Sequence, residues 1–401
     1  MDIQLIVVAF AAIGVILIAA QWLAPLIRLP TPTMQLLLGV VITNAVVAAG
    51  IDTGLRFDNF HDLVFYLFLP LLVYTAAWAV DVDELKKNLL GIAALALLGL
   101  LITTFLTATV LYYAIAHPTG FPWTAALLAG ALLAATDPAA VTSQSWVHHV
   151  RPKLALLLEG ESLFNDATAV VLFTVILGVA TATSPTLVST SQLLGGAALT
   201  FVLELAGGAV VGSVTGSIAR LVLRKATHNI KLWLGLSLAL GAYHISLSLH
   251  ASGVIACLIL GLMLGKNSKT DSQAATTWDF VGQTTNGMLF VLMGATLTWS
   301  MFAERWLAML LAIGAVVLSR FISVCFVLAP QNRFLASPYS WSDIRMTGFL
   351  GMRGAITIAL VLVLPVELPY WWTIQSIAYG VVLYDLLITA PLMPLILKPK
   401  V

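Results

Sequence analysis

Charge is scarce in this sequence. Asp, Glu, Lys and Arg together make up 9% of its 401 residues, while 60% are hydrophobic; soluble domains carry about 25% charged residues. So little charge cannot cover a water-facing surface, which excludes a soluble globular protein and leaves a polytopic membrane protein. Cysteine is nearly missing as well. Cys257 and Cys325 lie in separate apolar runs, which excludes a disulfide framework and a thiolate metal site. There is no His-Glu-x-x-His stretch, so the common zinc-hydrolase motif is absent. The net formal charge of +1 points to no nucleic-acid partner, and nothing in the chain calls for a cofactor. The first apolar run, Ile3 to Ala20, has no basic flank before it and no small-residue cleavage site after it. It therefore reads as a first span rather than a signal peptide.

What is present is apolar sequence in long runs. At about 20 apolar residues per span, the chain divides into about thirteen candidate transmembrane helices. The decisive ones are the fifth (Trp123 to Val141), sixth (Leu154 to Ala182), twelfth (Met346 to Leu364) and thirteenth (Trp371 to Leu397). Cytoplasmic loops concentrate Lys and Arg. The connections after odd-numbered spans and the C-terminus hold nearly all of these, whereas the opposite side holds only Arg56 and Arg305. The expected topology is N-terminus outside and C-terminus cytoplasmic. No linker or charged tail marks a second domain, so residues 1–401 read as one transmembrane domain.

The most costly stretch runs from Glu159 to Asp166, with Glu159, Glu161, Ser162, Asn165 and Asp166 inside an apolar run. A charge at the bilayer centre costs from about 2.5 to more than 10 kcal/mol, so acids there usually mark an ion or proton path. At 3.6 residues per turn, Glu159, Ser162 and Asp166 share one stripe and Glu161 and Asn165 form a second. Asp166 lies roughly 20 Å along the axis from Lys153, at 1.5 Å per residue.

Two spans are interrupted. The fifth carries Ala135-Thr136-Asp137-Pro138 in mid-run, and the twelfth carries Gly351-Met352-Arg353-Gly354. Proline removes a backbone donor and frees a carbonyl. Unwound backbone at membrane depth is tolerated where it lines a cavity or is buried in protein, and paired breaks in two halves point to a transporter site. Spans five and twelve are an odd number of places apart in the chain order, as an inverted-topology repeat requires. Asp137 could cap a half-helix or face a cation. Arg353 reads as a buried counter-ion for Glu161 or Asp166.

Taken together, Thr136-Asp137-Pro138, Glu161-Ser162-Leu163-Phe164-Asn165-Asp166-Ala167 and Gly351-Met352-Arg353-Gly354-Ala355 resemble the signatures of the monovalent cation/proton antiporters. The likeness is greatest to the prokaryotic NhaP type, and it covers essentially the whole chain. Leu69-Pro70-Leu71-Leu72 and Ser252-Gly253-Val254-Ile255-Ala256 also fit.

The resemblance implies exchange of Na+ or Li+ for H+ by alternating access, with Asp166 binding cation or proton. Asp137, Ser162 and Thr136 would contribute to the ion shell, Asn165 would support it, and Glu161 would pair with Arg353. It further implies a homodimer embedded in lipid, in a prokaryotic inner membrane and serving pH homeostasis. The core bundle would comprise approximately 89–182 and 304–398, and the dimer-interface bundle 1–80 and 229–302.

Two departures stand out. After Leu72 the family usually shows a Phe-Glu pair, where this chain has Tyr74 and Thr75. Conversely, Asp385 adds an acid to span thirteen, where it could compensate for Thr75 or neutralise Arg320. Glu159 is a further accessory candidate. A carboxylate removed from water holds either a proton or a cation, and this competition alone couples the two fluxes. One acid in an Asn-Asp pair implies electroneutral exchange. A K+/H+ antiporter or a gated monovalent cation channel would suit the same motifs. Tyr384-Asp385 matches half of an intramembrane aspartyl protease pair, but its Gly-x-Gly-Asp partner is absent, so an enzyme is not expected.

Overall fold

In hydrocarbon, backbone donors and acceptors must be satisfied within the chain, which leaves helices as the economical form for apolar runs of this length. A computed structural model describes residues 3–50, 61–115, 120–137, 151–181, 190–223, 228–268, 272–332 and 338–392, and among these it is all-helical. Apart from a short helix at Val82–Lys87, the helices are α1 (Ile3–Ile27), α2 (Thr31–Ala48), α3 (His61–Ala79), α4 (Leu89–Ala114), α5 (Trp123–Ala134), α6 (Pro152–Thr181) and α7 (Thr190–Leu223). Then follow α8 (His228–Ser248), α9 (Gly253–Ser268), α10 (Ser272–Thr296), α11 (Trp299–Gln331), α12 (Trp341–Phe349), α13 (Ala355–Leu362) and α14 (Trp371–Leu392). Among the described residues, 9 of these are long and apolar enough to cross a membrane. Pro138, the rest of span five to Val141, Arg56, Lys398 and Lys400 lie outside the described residues.

Packing separates two groups of helices. In one, α4 lies against α5 and α11, α5 against α6, and α14 against α5 and α11; in the other, α9 lies against α3, α7 and α8, and α10 against α2 and α3. Lipid tails are as apolar as Leu, so association within the bilayer depends on close backbone approach at small residues. Gly261 shows this on α9: a side-chain carbon there would stand 2.7 Å from the Tyr74 carbonyl oxygen of α3. The two groups meet through α6, which reaches α7 and α9, and through α13, which touches α10.

Span twelve is broken. Its first piece, α12, starts with a capping box in which Ser340 and Asp343 bond each other's backbone, and Arg151 at the start of α6 forms an ion pair with Asp343. The helix stops after Phe349, residues 350–354 are not helical, and α13 resumes at Ala355. In span five, α5 ends at Ala134, and residues 135–137 continue as non-helical chain.

Candidate functional site

A helix that stops inside the bilayer leaves its last carbonyls without intrahelical donors. At the end of α5 three of them are met by side chains from neighbouring elements. Thr357 donates to the Leu132 oxygen at 3.0 Å, Arg353 Nε to Leu133 at 2.8 Å and Asn165 Nδ2 to Ala134 at 3.2 Å. The two breaks also bind one another directly. The Asp137 amide donates to the Met352 carbonyl at 2.7 Å, and Asp137 Oδ2 accepts from the Ala355 amide at 3.3 Å. A carboxylate thus stands at the N-terminus of α13 and a guanidinium at the C-terminus of α5, the arrangement favoured by the two helix dipoles.

The two stripes of α6 face different surroundings. Glu161 and Asn165 point into protein. Arg320 of α11 donates from Nη1 to Glu161 Oε1 at 2.9 Å and from Nη2 to Oε2 at 2.8 Å, a bidentate pair whose two residues are each 1% exposed. Asn165 Nδ2 adds a bond to Glu161 Oε1 at 2.8 Å, and the Thr136 hydroxyl lies 3.4 Å from both oxygens.

The expected Glu161–Arg353 pair is therefore corrected to Glu161–Arg320. The reason is local: the Arg353 guanidinium is taken up by the Leu133 and Gly351 carbonyls that the breaks leave open. Among the described residues Arg320 pairs with Glu161 rather than with Asp385, and Asp385 is not among the residues that line the cavity beside α6. Its Oδ2 accepts the Arg353 backbone amide at 2.8 Å, and its Oδ1 accepts the Thr389 hydroxyl at 3.1 Å.

The other stripe faces a cavity of about 830 Å³. Glu159, Ser162 and Asp166 line it together with Asp137 and, from α3, Thr75. Ser162 donates to the Thr136 carbonyl, so two expected ion ligands are bonded to each other. Asp166 Oδ1 is buried and has no hydrogen-bond partner. Thr75 contributes little: its hydroxyl donates to the Leu72 carbonyl at 3.0 Å. Asn165 lies behind the cavity wall and acts on it through Glu161 and α5.

The opposite wall holds residues that the sequence reading passed over. Asp279, Gln283 and Asn286 of α10 all line the cavity. They match no motif, and the signal for them was only their helical spacing along one face of α10.

Comparison with known proteins agrees with this architecture. The chain is 32% identical to the Na+/H+ antiporter ApNhaP of Aphanothece halophytica over 82% of its length, and spans 62% of that protein. It is 30% identical to the Na+/H+ antiporter NhaP of Pseudomonas aeruginosa, covering 96% of this chain and 93% of that one. The fold superimposes on the sodium proton antiporter MjNhaP1 from Methanocaldococcus jannaschii with a TM-score of 0.78 at 20% identity, covering 96% of this chain and 99% of that one. The family model described as "Sodium/hydrogen exchanger, transmembrane" matches residues 10–399. With crossed helix breaks and an acid-lined cavity inside that match, the chain belongs to the transmembrane sodium/hydrogen exchanger family.

Proposed function

We propose that this protein is an integral membrane antiporter that exchanges Na+ for H+, with Asp166 as the carboxylate that carries either ion. The observation that carries the reading is the buried, unpartnered Asp166 oxygen on a cavity shared with Asp137 and Ser162. Glu161 is matched by Arg320 and Asp137 caps α13. Glu159 and Asp279 are exposed, which leaves Asp166 as the deep carboxylate able to change its ion. A cation entering beside it would take oxygens from Asp166, Asp137 and Ser162, and from the Thr136 carbonyl once Ser162 turns away. No cofactor, nucleic acid or enzymatic step belongs to this reading.

The cavity runs toward Val80, Thr276 and Glu159. These stand at the helix ends next to Lys86, Lys87, Lys153 and Lys266, the side assigned to the cytoplasm by loop charge. The structure is on this reading inward-facing. One exchanging carboxylate gives one-for-one, electroneutral transport. The physiological setting is a prokaryotic inner membrane and pH homeostasis.

Exposed apolar side chains such as Trp22 and Leu26 on α1 and Val202 and Val210 on α7 suit lipid and a second copy of the chain, so the working assembly is a homodimer. The test of function is a pH-dye assay in proteoliposomes with Na+, Li+ and K+ added in turn. Proton release on adding Na+ is expected, and a response to K+ alone would replace this reading with K+/H+ exchange.

A further inference from the structure

The α10 wall of the cavity has a chemistry of its own. Thr276, Asp279, Gln283 and Asn286 all line the cavity and recur at intervals of three or four residues, so they form one stripe along the helix. At 1.5 Å per residue, Asp279 and Asn286 are about 10 Å apart along the axis. Asp279 is exposed and its Oδ2 accepts Gln283 Nε2 at 2.9 Å. That bond orients the carboxylate along the stripe. At the deep end, Asn286 Oδ1 is buried with no hydrogen-bond partner. An uncompensated buried carbonyl oxygen costs about 1 to 3 kcal/mol, and a hydrogen-bond donor or a cation entering the cavity would satisfy it.

The surrounding charge has one sign. Among the described residues, those lining the cavity include Asp137, Glu159, Asp166 and Asp279 and no basic side chain. Low-dielectric walls around charges of one sign concentrate counter-ions. The α3 wall supplies no acid in this region: Thr75 packs against Gly282, where a side-chain carbon would stand 2.9 Å from the Thr75 hydroxyl. The negative charge on that side of the cavity comes from α10.

We propose that α10 carries an outer station for the transported monovalent cation. Asp279 draws the hydrated ion in, and Asn286 Oδ1 replaces part of its water shell before it reaches Asp166 and Asp137. This rests on the exchange reading above, and it adds specificity-determining residues on a helix outside the crossed breaks.

The test measures Na+ half-saturation and maximal rate in proteoliposomes for the wild type, Asp279→Asn, Asn286→Ala and Asp166→Asn, at low ionic strength and again with added choline chloride. Loss of one charge at this range in a wet cavity corresponds to about a two- to fivefold effect. Asp279→Asn should raise half-saturating Na+ by that factor, change the maximal rate less, and lose most of the difference in choline, since salt screens an exposed charge. Asn286→Ala should alter the ratio of Na+ to Li+ half-saturation.

Asp279→Asn and Asn286→Ala proteins with wild-type half-saturation for both ions would overturn the station and leave the exchange reading standing. A fall in maximal rate alone, unaffected by choline, would make Asp279 a structural residue and overturn it too. Wild-type protein that moves no protons with any alkali cation would overturn the exchange reading and the station together.

Discussion

At the scale of single residues, the division of labour among buried acids follows from what each oxygen touches. Glu161 has Arg320 in a two-pronged contact and an amide from Asn165, so it is held in one orientation. Asp166 has an oxygen with no such partner on the cavity side of the same helix. Asp166→Asn should therefore assemble normally in the membrane, as judged by gel filtration, and lose Na+-dependent proton release. Exchange at the wild-type rate in that variant would remove Asp166 from the mechanism. Glu161→Gln and Arg320→Met should each lower thermal stability in detergent, since breaking a buried pair from one side costs about 3 to 5 kcal/mol. The double variant should recover part of the loss. Strictly additive effects would argue against the pairing, because residues in contact couple by about 0.5 to 3 kcal/mol.

At the scale of elements, the two interrupted spans are completed by each other. The end of α5 is closed by Thr357 and Arg353 from span twelve, and the start of α13 is met by Asp137 from span five. Asp385 of α14 belongs to this joint, since it accepts the Arg353 amide and is 4% exposed. Asp385→Ala should lower the melting temperature, because a buried amide left unmatched costs about 1 to 3 kcal/mol. Half-saturating Na+ should stay at the wild-type value. A weakened Na+ response at unchanged stability would return Asp385 to the ion path.

At the scale of the whole molecule, two helix groups meet along one acid-lined cavity, and α6 and α13 cross between them. A single carrier carboxylate that leaves with either Na+ or H+ moves no net charge per cycle. In proteoliposomes with a clamped potential, the exchange rate should be the same at 0 and about 100 mV of either sign. An uncompensated elementary charge would be worth about 2.3 kcal/mol at that potential, so a violation would be plain in the rates.

The sequence by itself determined the membrane setting, because 9% charge and 60% hydrophobic content leave few other ways to bury this chain. It also determined where the helices break and which residues of α6 share a stripe, since both follow from local backbone chemistry and a period of 3.6 residues. Tertiary structure alone decided the partners. Arg320 and Arg353 are both single cations in apolar runs, and nothing local says which one meets Glu161. The choice falls to the packing of α11 beside α4 and α14 and to the carbonyls that claim Arg353. The same holds for Asp279, Gln283 and Asn286, whose spacing is visible in the sequence but whose cavity exists only where α10 comes to face α3 and α6.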